Sequence, residues 1–314
     1  MRPFLLKPAT KDYIWGGTRL REEFGTESDA ERIAESWVLS CHPDGESIIA
    51  NGEYEGMTLS EFIRRHPEAV SPKFSSEDKF PILVKLIDAK KDLSLQVHPD
   101  DNYARIHEND SGKTECWYIL DADKDAELIC GFKEKLTKEQ LRRAIEENNL
   151  MDKVWHVPVL KGDVFFIEPG TIHAIGKGIL LAEIQQSSNV TYRVYDYGRL
   201  GADGKPRELH IEKALDVIKT NPKSPYRPLE IRKHYSHSVQ HIAECKYFNS
   251  KRINLFGLNP SINGFFHGLF IDGEGTVEFD GGSFDVKKGS SVFFPNGMEN
   301  CKIKGKCSVI MTTV

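Results

Sequence analysis

The sequence predicts a mainly-β protein of two related β-barrels decorated by a few short helices. Three observations predict it. Short alternating apolar runs broken by Gly, Pro, Asn and Asp dominate the 314 residues, while helical periodicity is sparse. One supersecondary pattern occurs twice: in GDVFFIEPGTIH, Gly162 is followed eight residues later by Gly170 and eleven later by His173, and in GSSVFFPNGMEN, Gly289 is followed by Gly297 and Asn300 at the same offsets. The composition, 39% hydrophobic and 28% charged, supports a sizeable buried core without disulfides.

The strands read at 81–89 (PILVKLIDA), 93–99 (LSLQVHP), 114–120 (TECWYIL), 127–132 (ELICGF), 163–169 (DVFFIEP) and 179–186 (ILLAEIQQ). Helices are expected to open at Thr58 and Thr137, because Glu61 and Gln140 stand three residues on as capping-box partners, and a third spans Ile211 to Ile218. From about residue 220 the Pro-, Lys- and Ser-rich stretch NPKSPYRPLEIRKHYSHS reads as a linker or edge segment. We therefore expect a catalytic domain over 1–234 and a degenerate β domain over 235–314, in which Asn300 replaces the special histidine.

Several function classes are excluded by the bulk properties. A net charge of -5 with only isolated basic clusters argues against nucleic acid and acidic membrane surfaces. The N-terminus lacks the apolar stretch of a signal peptide and no span is long enough for a membrane, so a cytoplasmic protein is expected. Six scattered cysteines without a CxxC pair read as free, mostly buried thiols, Cys116 included.

The chemistry concentrates at three places. Ser94, Gln96 and His98 alternate on one face of a strand, Glu115 opens the next strong strand, and His173 follows the Pro169-Gly170 turn. Two imidazoles and a carboxylate leave a coordination position open, which is the composition of a catalytic zinc site, and Gln96 offers a further neutral oxygen. The same donors suit Fe(II) or Mn(II), and each residue taken singly fits an ordinary structural role. Ser94 is the best polar candidate for contacting substrate. Lys113, on the face of Glu115, reads either as a proton-handling group or as an exposed loop lysine, and Arg193, among the aromatics of TYRVYDY, either as a charge-stabilising group or as an arginine stacked on Tyr195 or Tyr197.

LSLQVHPDD resembles the metal-binding strand of type I mannose-6-phosphate isomerases (phosphomannose isomerases) of the cupin superfamily, where it supplies Gln and His ligands. GKTECWYIL resembles the family's Lys-x-Glu strand, GTIHAIG its Gly-x-x-His-Ala segment, QQSSNVTYRVYDYGR its arginine-bearing signature, and YIWGG its opening. These matches run in family order from residue 13 to about 199. The absence of a large helical insert between Glu115 and His173 makes the chain look like the short bacterial form, with DDNYARIHENDSGK filling the gap after His98. The resemblance implies two jelly-roll barrels, one Zn2+ held by Gln96, His98, Glu115 and His173, catalytic Lys113 and Arg193, a sugar-phosphate substrate, and a monomer or homodimer. Interconversion of mannose 6-phosphate and fructose 6-phosphate through an enediol is the implied reaction. A non-catalytic sugar-binding cupin and an Fe(II) cupin dioxygenase are the alternatives.

Overall fold

The computed structural model describes residues 1–201, 204–222, 231–233, 237–256, 265–298 and 300–314. Much of the expected linker, residues 223–230 and 234–236, lies outside them. The chain is mainly β, and every strand expected from the alternation is present: Ile82–Ala89, Leu95–Val97, Glu115–Ala122, Glu127–Phe132, Val164–Ile167 and Ile179–Gln186. Among the described residues there are five α-helices rather than three: α1 Arg19–Phe24, α2 Leu59–Arg65, α3 Asp101–His107, α4 Lys138–Glu146 and α5 Ile211–Val217. Thr58 and Thr137 cap α2 and α4, and at Thr137 both halves of the capping box form. α3 escaped the sequence reading because its seven residues bury only Ala104, too little to give an amphipathic period.

Contacts divide the chain into two compact units: residues 1–11, 18–86 and 228–314 form one, and residues 12–17 and 87–227 the other. A boundary at 234/235 thus separates the C-terminal strands from N-terminal segments that share their unit. In that first unit Phe4–Lys7 pairs antiparallel with Ser291–Phe294, which pairs with Phe266–Phe279, then Lys302–Thr313, Asn249–Phe256 and His237–Glu244. Its core is apolar, built on residues such as Phe270, Val292, Phe294, Ile303 and Val309.

The second unit carries two sheets. One runs in the order Val154–Pro158, Glu127–Phe132, His173–Ala174, Leu95–Val97, Tyr192–Tyr195; the other places Glu115–Ala122 between Val164–Ile167 and Ile179–Gln186. Leu95, Val97, Ala174, Tyr192 and Val194 cover one face of the first sheet and pack with Leu141 and Ala144 of α4 and Ala214 and Leu215 of α5. Strand alternation then sends Ser94, Gln96, His98, His173 and Arg193 to the opposite face. No closed barrel is formed by the strand pairings of the described residues.

The duplicated motif is a duplicated structure. Gly162 and Gly289 have φ of 94° and 95°, Gly170 and Gly297 of 84° and 77°, a region that glycine enters freely. Strands occupy the same offsets after the first glycine, Val164–Ile167 and Ser291–Phe294. Each motif exchanges the same two backbone bonds with a neighbouring strand: Gly162 N to Ile119 O and Ile119 N to Asp163 O in one, Gly289 N to Phe270 O and Phe270 N to Ser290 O in the other. The register aligns Glu115, opposite Ile167, with Phe266, opposite Phe294. His267 therefore corresponds to Cys116 and faces away from the position that Glu115 occupies. It bonds Ser291 Oγ at 2.9 Å, while exposed Asn300 donates to Asp280.

Candidate metal centre

Three strand ends converge in the second unit. His98 follows the Leu95–Val97 strand, Glu115 begins Glu115–Ala122, and His173 begins the strand entered through the Gly170 turn. The turn requires glycine twice over: φ is 84°, and a Cβ would lie 2.7 Å from Val217 O and 2.9 Å from Lys219 Cγ. His98, Glu115 and His173 are at most 1% exposed. Their ligand atoms all lie within 4.8 Å of one another. His98 Nε2 and His173 Nε2 are 3.1 Å apart, Glu115 Oε2 is 3.4 Å from His98 Nε2, and Glu115 Oε1 is 3.3 Å from His173 Nε2.

The protonation pattern follows from the outer partners. His98 Nδ1 lies 2.8 Å from Val190 O and His173 Nδ1 lies 2.9 Å from Thr171 O. A carbonyl only accepts, so each ring carries its proton on Nδ1 and turns an Nε2 lone pair inward. Burial, followed by the charge of Lys113, pushes His98 down to about 3, and burial lowers His173. Both rings are neutral. Burial also opposes the charge on Glu115, but the Lys113 ammonium outweighs it and holds the carboxyl well below its usual range.

The result is two imidazole lone pairs and two carboxylate oxygens crowded together in a dry site. Neither oxygen of Glu115 accepts a well-formed hydrogen bond. The only cation touching the cluster among the described residues is Lys113, with Nζ 3.1 Å from Glu115 Oε2 and 3.3 Å from His98 Nε2. Converging acceptors repel and are costly to bury when a single ammonium and one long amide contact are all that serve them. A divalent cation at their centre satisfies all of them, so the donor set fits a metal. Gln96 extends the set. Its amide nitrogen lies 3.4 Å from His173 Nε2, and a half-turn about the last side-chain bond exchanges its oxygen into that position.

The other expected residues lie along the same face. His173, Gln96 and Arg193 are direct partners across adjacent strands, which puts the Arg193 backbone about 10 Å from that of His173 at the usual strand spacing. Arg193 Nε donates to Ser94 Oγ at 3.3 Å, and its Nη1 donates to Glu208 O at 2.8 Å. Ser94 is buried and oriented by the arginine.

Sequence reading missed three features here. Arg199 and Arg207 both bind Asp196, Arg207 through bonds of 2.7 and 2.6 Å, and Arg199 also reaches Asp92 O. Arg193 lies close enough to feel the charges of Arg207, Asp196 and Arg199. Burial, then the charge of Arg207, lowers Arg193 below its ordinary value. Arg199 stood in the YDYGR run, but Arg207 carried no local signal. The third feature is Trp117, which packs edge-on against His173 at 5.4 Å and donates its indole N–H to Glu183 at 2.9 Å.

Comparison with known proteins gives this geometry its context. Residues 4–144 match the model of the phosphomannose isomerase type I catalytic domain, and residues 238–314 that of the mannose-6-phosphate isomerase cupin domain. The chain is 41% identical over 324 residues to mannose-6-phosphate isomerase ManA of Bacillus subtilis (strain 168), covering 99% of this chain and 98% of that protein. The chain belongs to the type I phosphomannose isomerase family. It is therefore an isomerase of a metal-dependent family. Mannose-6-phosphate isomerase of Streptococcus mutans is 46% identical over 216 residues, 69% of this chain and 67% of its own. The crystal structure of the mannose 6-phosphate isomerase from Bacillus subtilis matches with a TM-score of 0.95 at 35% identity, covering all of both chains. Phosphomannose isomerase from Salmonella typhimurium shares the fold, with a TM-score of 0.80 at 17% identity over 100% of this chain and 99% of that one.

Proposed function

We propose that the protein is a zinc-dependent aldose–ketose isomerase that interconverts mannose 6-phosphate and fructose 6-phosphate through an enediol. The observation that carries the reading is the buried convergence of two imidazole lone pairs and an ionised carboxylate with Lys113 at its edge, in a chain of this family. Gln96, His98, Glu115 and His173 would hold one zinc. Bound there, zinc supplies Lewis acidity toward the carbonyl and hydroxyl oxygens of the sugar.

The isomerisation removes a proton from the carbon beside the carbonyl and returns one to the neighbouring carbon. Lys113 reaches the ligand cluster from one side and is the group we assign to handling these protons or those exchanged between the two oxygens. Arg193 presents a permanent charge on the same face and stabilises the negative charge that develops in the enediol. Its bond to Ser94 and to the Glu208 carbonyl fixes the guanidinium plane before substrate arrives. The substrate's phosphate group is directed to the positive end of this face, where Arg193, Arg199 and Arg207 outnumber Asp196, with Ser94 as a neutral contact.

We extend the reading to the architecture: the duplicated Gly-strand-Gly motif supports two jelly-roll units, the catalytic one within 1–234 and a degenerate one within 235–314 whose Phe266 and Asn300 replace the ligands. The chain is placed in the cytoplasm, as a monomer or homodimer. No helix of the described residues is long and apolar enough to cross a membrane.

The experiment is turnover of mannose 6-phosphate to fructose 6-phosphate by purified protein, after chelation, and after zinc is restored. Activity lost and regained supports reaction and metal together. Fully metallated protein that makes no product would sink the reading; ferrous-dependent oxygen uptake would then favour the oxygenase alternative, and sugar-phosphate binding without turnover the binding one.

A further inference from the structure

The chain leaves the site at His98 and returns at Lys113, so the intervening loop must close tightly if both ends are to deliver side chains to one point. At the returning end, three consecutive N–H groups are engaged. Gly112 N donates to Asp101 Oδ1 at 3.0 Å, Lys113 N to Pro99 O at 3.1 Å, and Thr114 N to Gln186 Oε1 at 2.9 Å. Gln186 then turns its amide nitrogen onto the same Asp101 Oδ1 at 2.9 Å, and its backbone N–H donates to Thr114 O at 3.1 Å. One carboxylate oxygen thus joins the start of the loop, its end and the neighbouring strand.

The closure leaves no room for rearrangement. A Cβ at Gly112 would lie 2.5 Å from both Asp100 C and Asp101 N. Two outer ties hold the loop to the same neighbouring segment: Ser188 Oγ to Asp110 Oδ2 at 3.3 Å, and Tyr192 OH to Glu108 Oε1 at 2.7 Å. That segment also supplies Val190 O, the partner of His98 Nδ1. A lysine side chain has four flexible carbons and a high rotamer entropy. It can hold Nζ against Glu115 and His98 only if its own backbone is anchored.

We propose that Asp101 is a positioning residue for Lys113, acting through Gly112 on one side and through Gln186 and Thr114 on the other. It touches none of the ligand atoms. The functional consequence rests on the reading of Lys113 as the proton-handling group; the positioning itself does not.

Two measurements separate these. In the zinc-loaded full chain, Asp101→Ala is expected to lower kcat about ten- to a hundredfold with KM changed by less than about threefold, as for a misplaced catalytic group. Asp101→Asn keeps an Oδ1 that accepts both bonds and is expected to stay within about threefold of the parent. Hydrogen exchange followed by mass spectrometry reads the clamp without turnover: peptides covering 112–114 should exchange at least about tenfold faster in Asp101→Ala and at the parental rate in Asp101→Asn. If Asp101→Ala does not fold, Gln186→Met removes the acceptor of Thr114 N and carries the same expectations. Unchanged exchange at 112–114 in a folded clamp variant overturns the proposal, as does an equal kcat loss in Asp101→Ala and Asp101→Asn. A parent protein inactive on mannose 6-phosphate defeats the isomerase reading instead, and the exchange result still decides the clamp.

Discussion

Replacing Lys113 by Met should destabilise the metal-free protein and spare the zinc-bound one. Lys113 Nζ stands 3.1 Å from Glu115 Oε2, with both side chains at most 5% exposed. At an effective dielectric near 20, the attraction at that separation is about 5 kcal/mol. Removing one partner of such a pair strands the other charge in a dry site, at a cost of about 3–5 kcal/mol. Methionine fills much the same volume, so little of that loss comes from a cavity. With a urea dependence of about 3 kcal/mol/M, the unfolding midpoint of the metal-free variant should fall by about 1–1.7 M. Zinc restores a cation beside Glu115, and the variant has lost a neighbouring positive charge that opposes metal binding. The zinc-saturated variant should therefore unfold close to the zinc-saturated parent, and its zinc affinity should be higher, while turnover is abolished. The assay is urea unfolding of both proteins, chelated and zinc-saturated, with a competitive zinc titration. A metal-free variant with the parent's midpoint, or equal zinc-induced gains in the two proteins, would refute the account of Lys113 as the cation that stands at the ligand cluster when no metal does.

Arg193→Ala should lose roughly a hundredfold in kcat with little change in KM if the guanidinium acts on the developing charge; a rise in KM alone would reassign it to phosphate binding. Gly170→Ala should cost about 1–3 kcal/mol from the left-handed φ of 84°, with more from the approach to Val217 O, and should weaken zinc binding by displacing His173; calorimetry with zinc titration checks both. Asp196 concerns acid stability. Burial raises its carboxyl, but the hydrogen bonds from Arg207 and Arg199 prevail and its folded value is depressed. Its stabilising contribution is therefore present above the unfolded value of about 4 and is lost as pH falls through the lower folded value. The stability gap between parent and Asp196→Asn, measured by urea unfolding, should be constant above about pH 5 and close on further acidification; a gap that widens in acid would contradict the pairing.

How much of this was legible beforehand differs between levels. Strand alternation is a local signal, and it placed the six expected strands within a few residues. The capping boxes at Thr58 and Thr137 are also local, as is the repeated Gly-strand-Gly spacing that the backbone bonds of Ile119 and Phe270 bear out. Residue type and the order of the motifs were enough to bring Gln96, His98, Lys113, Glu115 and His173 into one list. The sequence could not show that Asp101 grips Gly112 and Gln186, that Val190 and Thr171 carbonyls fix the histidine tautomers, or that Arg207 joins Arg199 at Asp196. Those partners are separated by up to 92 positions and have no shared periodicity. The grouping of residues 1–11 and 18–86 with the C-terminal strands is equally invisible, because strand pairing across the whole chain leaves no mark on local composition. The sequence by itself determined which side chains could do chemistry and which face of each strand would bear them. Only the tertiary structure decided their protonation, their spacing and the contacts that hold them still, since burial and hydrogen bonding act through space rather than along the chain.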